Sequence, residues 1–132
     1  ISEIISKRNI PIGMKRSLSM TNGDFSKRGK AARDKGKRRE LDFVHIMNEA
    51  GFPVRRGYVF QHEPDIVGLE GFHAEIKGHE SLNVRKALQQ SIDDAEKRKD
   101  GIPILAWKKS REPWVVVLKL DDFIKLIRRY RE

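Results

Sequence analysis

The sequence predicts an α/β domain in which a mixed sheet of five strands is flanked by helices. Two observations predict this class. Apolar residues recur at helical spacing in three segments of the 132-residue chain, and five other segments are rich in strand-forming residues. In chain order the segments read helix, three strands, helix, two strands and helix, which is typical of a mixed sheet covered by helices.

The first half of the chain contains one helix and three strands. The helix is predicted at residues 35–50, and Gly51 provides a stop signal directly after it. Strands are predicted at residues 52–60, with a loop around Gly57, and at residues 65–68 and 72–77. Only the short segment LEG separates the last two, so we expect them to pair as a hairpin.

The second half begins with a helix at residues 83–100, which has an apolar stripe on one side. The apolar run IPILAW at residues 102–107 is typical of a strand that is covered on both faces. Another strand is predicted at residues 113–120, with its proline at the start, where proline is tolerated.

A last helix is predicted at residues 121–130, with Asp121 or Asp122 as its N-terminal cap. Its apolar residues recur at helical spacing, so we expect them to face the core. These inward residues are predicted to be Phe123, Ile124, Ile127 and Tyr130.

The excess positive charge lies in the N-terminal part of the chain. Residues 1–39 carry 12 Lys/Arg and 3 Asp/Glu, whereas residues 40–132 carry 16 of each, so the net charge of +9 belongs to the first segment. Such a segment gains affinity for a polyanion, most plausibly nucleic acid, by releasing counterions. We predict a flexible basic arm at residues 1–28 and a single domain at residues 29–132, and leave open that part of the arm is an expression remnant or a processed leader.

Composition also excludes several kinds of site. The chain has no cysteine, which excludes disulfides and thiolate metal ligands and fits a reducing compartment. No apolar run approaches the roughly 20 residues that a membrane helix needs. We therefore expect a cytoplasmic protein without a membrane partner.

Acidic and basic side chains interrupt two of the predicted strands. Strand alternation places His73, Glu75 and Lys77 on one face, and the predicted hairpin brings Asp65 towards Glu75. Two carboxylates at one point repel each other, and a divalent cation with oxygen ligands, Mg²⁺ or Mn²⁺, removes that conflict. Such a cation can polarise a phosphodiester and activate water, and Lys77 can stabilise the developing negative charge. The alternative is a set of ordinary surface salt bridges.

Glu40 is a third candidate acid. It shares a helical stripe with Val44 and Met47, so it faces either the site or the rim of the sheet. An acid in the first helical turn is also favourable with the helix dipole, and position alone does not separate the two interpretations. The histidines His45, His62 and His73 are expected to be packing or surface residues. Gln89 and Gln90 lie at similar angles from the buried stripe of their helix, so which of them, if either, reaches the site stays open.

Four segments together resemble the archaeal-type Holliday junction resolvases of the PD-(D/E)xK nuclease superfamily, which have relatives in bacteriophages. The segments are GKRRELDFVHIMNEAGFPVRR, PDIVG, HAEIKG and DGIPILAWKKSREPWVVV, spread over residues 35–120. The resemblance implies that Glu40, Asp65 and Glu75 form the acidic metal site and that Lys77 assists catalysis. It also implies a homodimer that nicks two opposed strands of a four-way DNA junction symmetrically, with the 3′-oxygen as leaving group.

One segment departs from this family. The loop before the aspartate, which often carries small hydroxyl residues in the family, reads RRGYVFQHEP here and has no serine. Tyr58, Gln61 or His62 could substitute for them. The role of this loop is therefore open.

The sequence as a whole predicts a Mg²⁺-dependent, structure-selective DNA endonuclease of recombination and repair, from a prokaryote or a phage-infected cell. Two alternatives remain: a PD-(D/E)xK nuclease acting on duplex DNA, and a non-catalytic DNA-binding protein of the same fold. Basic side chains are expected to position the phosphate backbone without reading bases. These are Lys30, Arg33, Lys37, Arg38, Arg55 and Arg56.

Overall fold

A computed structural model describes residues 22–132 of the chain, with side chains described from residue 27. Its helices are α1 (Asn22–Glu49), α2 (Val84–Arg98) and α3 (Leu120–Tyr130). Its strands are β1 (Arg55–Arg56), β2 (Ile66–Val67), β3 (Phe72–Lys77), β4 (Ile102–Trp107) and β5 (Val115–Val117), and a 3₁₀ turn covers Val59–Gln61. The chain divides into two compact units, Ile1–Arg33 and Asp34–Glu132, and all five strands lie in the second. Residues 1–21 of the predicted arm lie outside the described part.

The predicted mixed α/β class is confirmed, and the described strands form two sheets. In the larger sheet β3 pairs in parallel with β4, and β4 pairs antiparallel with β5. In the smaller sheet β1 pairs antiparallel with β2. The predicted hairpin between residues 65–68 and 72–77 is wrong, because β2 pairs with β1 and not with β3. At the edge of β3 with which no described strand pairs, the Ile76 N–H donates instead to the side chain of Asp65.

The larger sheet is covered on both faces, as the apolar run at residues 102–107 predicts. One face packs under the C-terminal half of α1, and this core consists of Phe43, Ile66, Ala74, Ile76, Ile104 and Ala106. The other face packs under α2, where Leu105 contacts Ala87 and Leu88. Glu75 is the register partner of Leu105, so the site residues of β3 lie on the α2 side of the sheet.

Helix α1 begins at Asn22, well before the predicted start at about Lys35. The prediction followed apolar spacing, which begins only near Leu41, whereas the preceding segment is polar but contains good helix formers such as alanine, lysine and arginine. The predicted strand at residues 52–60 shortens to β1, because the chain turns into the 3₁₀ segment after it.

Helix α3 also differs from the prediction. Its N-terminal cap is Lys119, which makes no side-chain capping bond, and Asp121 and Asp122 lie in the first turn, where acids interact favourably with the helix dipole. The predicted inward face is largely wrong, because Phe123 is 49%, Ile124 36% and Tyr130 90% exposed.

Strand β5 forms an edge of the larger sheet within the described residues. The sheet order is β3, β4 and β5, and Val115 and Val116 are both exposed. This edge and one face of α3 leave apolar surface that no other part of residues 22–132 covers.

Within residues 22–132, every helix is too short or too polar to span a lipid bilayer.

Candidate active site

Strand β3 supplies two of the predicted site residues. Glu75 and Lys77 lie on the same face of the strand, and the Lys77 ammonium is 3.5 Å from Glu75 Oε2. Both side chains are largely buried, with 17% of Glu75 and 21% of Lys77 exposed. The strand thus fixes an acid and an ammonium side by side at a partly covered position.

Asp65 reaches the same place from the segment before β2. Its Oδ2 accepts a hydrogen bond from the backbone N–H of Ile76 at 3.1 Å. The Gly57 N–H donates to the Asp65 carbonyl at 2.9 Å, and a side chain at position 57 would lie 1.7 Å from the Pro64 carbonyl oxygen. Glycine is therefore required where the loop closes on Asp65.

Helix α1 contributes Glu40 through an ion pair with strand β1. The Arg56 Nε donates to Glu40 Oε1 at 2.8 Å, and both side chains are largely buried. Glu40 also interacts electrostatically with Asp65 and Lys77. The structure therefore brings Glu40, Asp65, Glu75 and Lys77 into one cluster, which we call the acidic cluster.

Burial raises the pKa of all three carboxyl groups in the acidic cluster above the ordinary values of 4.5 for glutamate and 3.8 for aspartate. The negative charge of Asp65 raises the pKa of Glu40 and Glu75 further. The positive charge of Lys77 lowers the pKa of all three carboxyl groups, and Arg56 lowers the pKa of Glu40. Because the pKa values remain raised, these two cations do not offset the cost of burying three acids together.

The donor set of the acidic cluster fits a hard divalent cation. Its three acids offer only carboxylate oxygens, which Mg²⁺ and Mn²⁺ accept readily. A dication would also relieve the mutual repulsion that raises these pKa values. The chemistry of these carboxylates therefore fits such an ion.

The raised pKa values predict a pH dependence of stability. In a window upward from about 4.5, the folded chain binds more protons at these carboxyls than the unfolded chain, so the free energy of unfolding should fall as pH rises. Glu75→Gln removes one such group and should make the fall shallower, as measured by denaturant unfolding in chelator. Glu63 and Glu80, whose pKa values are lowered to about 2, lose their contribution only below this window. Equal slopes for the two proteins would contradict the prediction.

The six predicted phosphate contacts lie in different environments. Lys30 and Arg33 are exposed on the part of α1 in the first unit, and Lys37 and Arg38 are exposed in the second. Arg55 makes two hydrogen bonds of 2.9 Å with the Glu63 carboxylate, whereas Arg56 is engaged with Glu40. The two arginines before the aspartate are thus already paired with carboxylates.

The loop without serine presents apolar side chains instead. Arg55 lies over the ring of Tyr58 at 4.5 Å, and Tyr58 stacks on Phe60 with ring centroids 6.0 Å apart. Val59 is 82% and Phe60 80% exposed. Of the residues considered as substitutes for serine, Gln61 and His62 are also exposed and stand at the end of the 3₁₀ turn.

His73, which sequence analysis placed on the strand face of Glu75 but did not assign to the site, is buried next to it. It is 1% exposed, and its ring lies between Asp94 and Asp100, at 3.1 Å and 2.9 Å. Ligand atoms of His73, Glu75 and Asp94 all lie within 4.8 Å of one another. The shared strand face of His73 and Glu75 is visible in the sequence, but the approach of Asp94 depends on how α2 packs on the sheet.

The fold and the site together define an α/β domain with a partly buried acidic cluster and an adjacent lysine at the edge of its larger sheet. Among solved structures, the chain is similar to Hjc of Archaeoglobus fulgidus, a Holliday junction resolvase from an archaeal hyperthermophile. The two are 26% identical, with a TM-score of 0.48, and the match covers 64% of this chain and 72% of that one. No protein-family model and no curated protein matches the chain.

Proposed function

We propose that the protein is a divalent-metal-dependent, structure-selective DNA endonuclease that resolves Holliday junctions by paired symmetric nicks. The observation that carries this proposal is the acidic cluster, in which Asp65 lies close enough to Glu40 and to Glu75 to raise the pKa of both, beside Lys77. A structural protein gains nothing from burying three acids whose pKa values are raised by doing so. A cation-dependent hydrolase needs that arrangement.

Asp65 and Glu75 are proposed to hold the cation, and Glu40 to complete its carboxylate environment directly or through water. When bound, Mg²⁺ or Mn²⁺ would polarise a phosphate oxygen and make water a better nucleophile. The Ile76 N–H and Lys77 keep Asp65 and Glu75 in place through the contacts described above. The resemblance in sequence implies that the 3′-oxygen is the leaving group.

Lys77 is proposed to stabilise the phosphate as negative charge develops during the reaction. Its ammonium can donate three hydrogen bonds, and it lies 3.5 Å from Glu75 Oε2. A fixed positive charge in a largely buried position acts more strongly on a developing charge than it would in water.

Exposed basic residues are proposed to bind the DNA backbone. Lys37 and Arg38 lie exposed in the same unit as the acidic cluster, and the N-terminal segment carries the whole net charge of +9. Such contacts supply affinity that falls with salt and carry no sequence information. In this proposal residues 1–28 are a basic arm attached to a nuclease domain at residues 29–132.

The junction preference and the homodimer rest on the sequence segments PDIVG, HAEIKG and GIPILAW, with Glu40 at the matching position of the first helix. Two copies related by a two-fold axis would place two acidic clusters on a junction of the same symmetry. The PD-(D/E)xK fold, in which the five strands would form one sheet, is part of the same proposal. So is a cytoplasmic role in DNA recombination and repair.

The test compares a synthetic four-way junction with its linear duplex arms, each with Mg²⁺, with Ca²⁺ and with chelator. We expect paired nicks in the junction with Mg²⁺, binding without cutting in Ca²⁺, and no cutting in chelator. Equal cutting of junction and arms would leave a nuclease but remove the junction preference. Tight binding with no cutting in Mg²⁺ or Mn²⁺ would contradict the proposal that the protein is a nuclease.

A further inference from the structure

The imidazole of His73 is oriented by a carboxylate that lies against one of its two ring nitrogens. Its Nδ1 lies 2.9 Å from Asp100 Oδ2. A carboxylate only accepts hydrogen bonds, so Nδ1 carries the proton of this bond. Histidine ligands of metal ions are commonly oriented by such a carboxylate behind the ring.

The other ring nitrogen, Nε2, is buried without a hydrogen-bond partner among the described residues. Asp94 Oδ2 lies 3.1 Å away, but the contact does not have hydrogen-bond geometry. A buried polar nitrogen left in this state costs free energy, and a lone pair facing a carboxylate oxygen is repulsive. The position calls for a positively charged species between Nε2 and the acids.

Two carboxylates complete the surroundings of Nε2. Ligand atoms of His73, Glu75 and Asp94 lie within 4.8 Å of one another. Two ligands of one ion are at most about 4.2 Å apart for bonds of about 2.1 Å, so the three groups lie close to the spacing that one ion requires. Asp94 is brought there by α2, which is anchored one turn earlier by the hydrogen bond from Ser91 Oγ to the Ile104 carbonyl at 2.9 Å.

The nearby cations leave Nε2 unserved. Arg98 binds Asp94 through the helical i, i+4 pair at 2.9 Å, and Lys77 lies 3.5 Å from Glu75. Both cations offset the charge of the carboxylates. Neither donates a hydrogen bond to Nε2, which has no donor within reach among the described residues. A metal ion satisfies the nitrogen and both acids at once.

From this geometry we propose that His73, Glu75 and Asp94 form a second cation site, which takes a first-row transition-metal dication such as Zn²⁺ or Mn²⁺ in preference to Mg²⁺. An imidazole nitrogen with two carboxylates suits these ions, whereas Mg²⁺ prefers oxygen ligands only. Asp100 is a positioning residue for His73. Because Glu75 belongs also to the acidic cluster, an ion here adds positive charge beside Asp65, but its binding does not depend on nuclease activity.

The test titrates the full chain with Zn²⁺, and separately with Mg²⁺, in the absence of DNA. Calorimetry measures affinity, and the ¹⁵N NMR resonance of His73 Nε2 reports coordination directly. We expect Zn²⁺ to move the Nε2 resonance at one equivalent and Mg²⁺ to leave it in place. Asp94→Asn should weaken Zn²⁺ binding at least about tenfold.

Asp93→Asn is the matched control. Asp93 neighbours Asp94 on α2 but is exposed and accepts a hydrogen bond from Gln89. Its replacement should leave Zn²⁺ affinity unchanged. Asp65→Asn should lose junction cutting and keep the Zn²⁺-dependent Nε2 shift, which separates this site from the proposed function.

An Nε2 resonance that Zn²⁺ does not move in the unmodified protein would overturn the inference, because His73 would then be a structural imidazolium between Asp94 and Asp100. Equal Zn²⁺ affinity of Asp94→Asn and Asp93→Asn would also overturn it. Junction cutting without the Nε2 shift refutes this site and leaves the proposed function standing. An Nε2 shift without junction cutting supports this site and refutes the proposed function.

Discussion

Glu75→Gln is expected to lose metal-dependent nicking of a four-way junction by at least about a hundredfold while keeping its affinity for that junction. Glutamine has nearly the same shape but lacks the negative charge that the cation requires. Changes behind the ligands of a metal site commonly cost 10–100-fold in activity or affinity, and Glu75 is proposed as a direct ligand, so about a hundredfold is a lower bound. Single-turnover cleavage and a binding assay in Ca²⁺ measure the two quantities separately.

Glu70→Gln is the matched control for this experiment. Glu70 is an exposed acid in the turn before β3 and lies outside the acidic cluster. Its replacement removes the same charge and should leave the nicking rate unchanged. Normal nicking by Glu75→Gln would show that the acidic cluster is not the reaction centre.

Leu105→Ala is expected to lower the free energy of unfolding by about 2–5 kcal/mol. Leu105 is 0% exposed in the central strand β4 and packs against Ala87 and Leu88 of α2. Truncation removes buried apolar surface and leaves a cavity that neighbouring secondary structure can fill only in part. Equilibrium unfolding in urea measures the change from the midpoint and the slope.

Val116→Ala provides the comparison at the edge of the same sheet. Val116 is 54% exposed in β5, so its truncation leaves no cavity and should change the free energy of unfolding by no more than about 0.5 kcal/mol. Equal losses in the two variants would contradict the burial of Leu105 under α2, because they would mean that α2 does not cover β4 tightly.

Hydrophobic spacing predicted the α/β class because long periodic segments encode their own structure. The run at residues 102–107 is apolar at nearly every position, which only a strand covered on both faces requires, and residues 103–106 are buried. The predicted strand pairing that was to bring Asp65 to Glu75 was wrong, although Asp65 does reach β3. A side chain that bonds to the Ile76 N–H leaves no periodic trace in the sequence, whereas a hairpin does.

Other features depend on tertiary packing that one sequence does not encode locally. The approach of Asp94 to His73 depends on the rotation of α2 on the sheet, and a helical stripe fixes that rotation only approximately. The apolar stripe of α3 predicted burial, but amphipathicity does not say what covers a face. Phe123 and Ile124 are left partly exposed by the other described residues.

The open edge of β5 also bears on how the protein behaves when concentrated. The segment WVVV is short, apolar and rich in β-branched residues, and a strand of this kind with one unpaired edge can template intermolecular pairing. Pro113 precedes it and Lys119 follows it, and both residue types discourage strand addition. Replacing Lys119 with an apolar residue would lengthen the apolar run, so we expect that variant to aggregate at lower concentration than the unmodified protein.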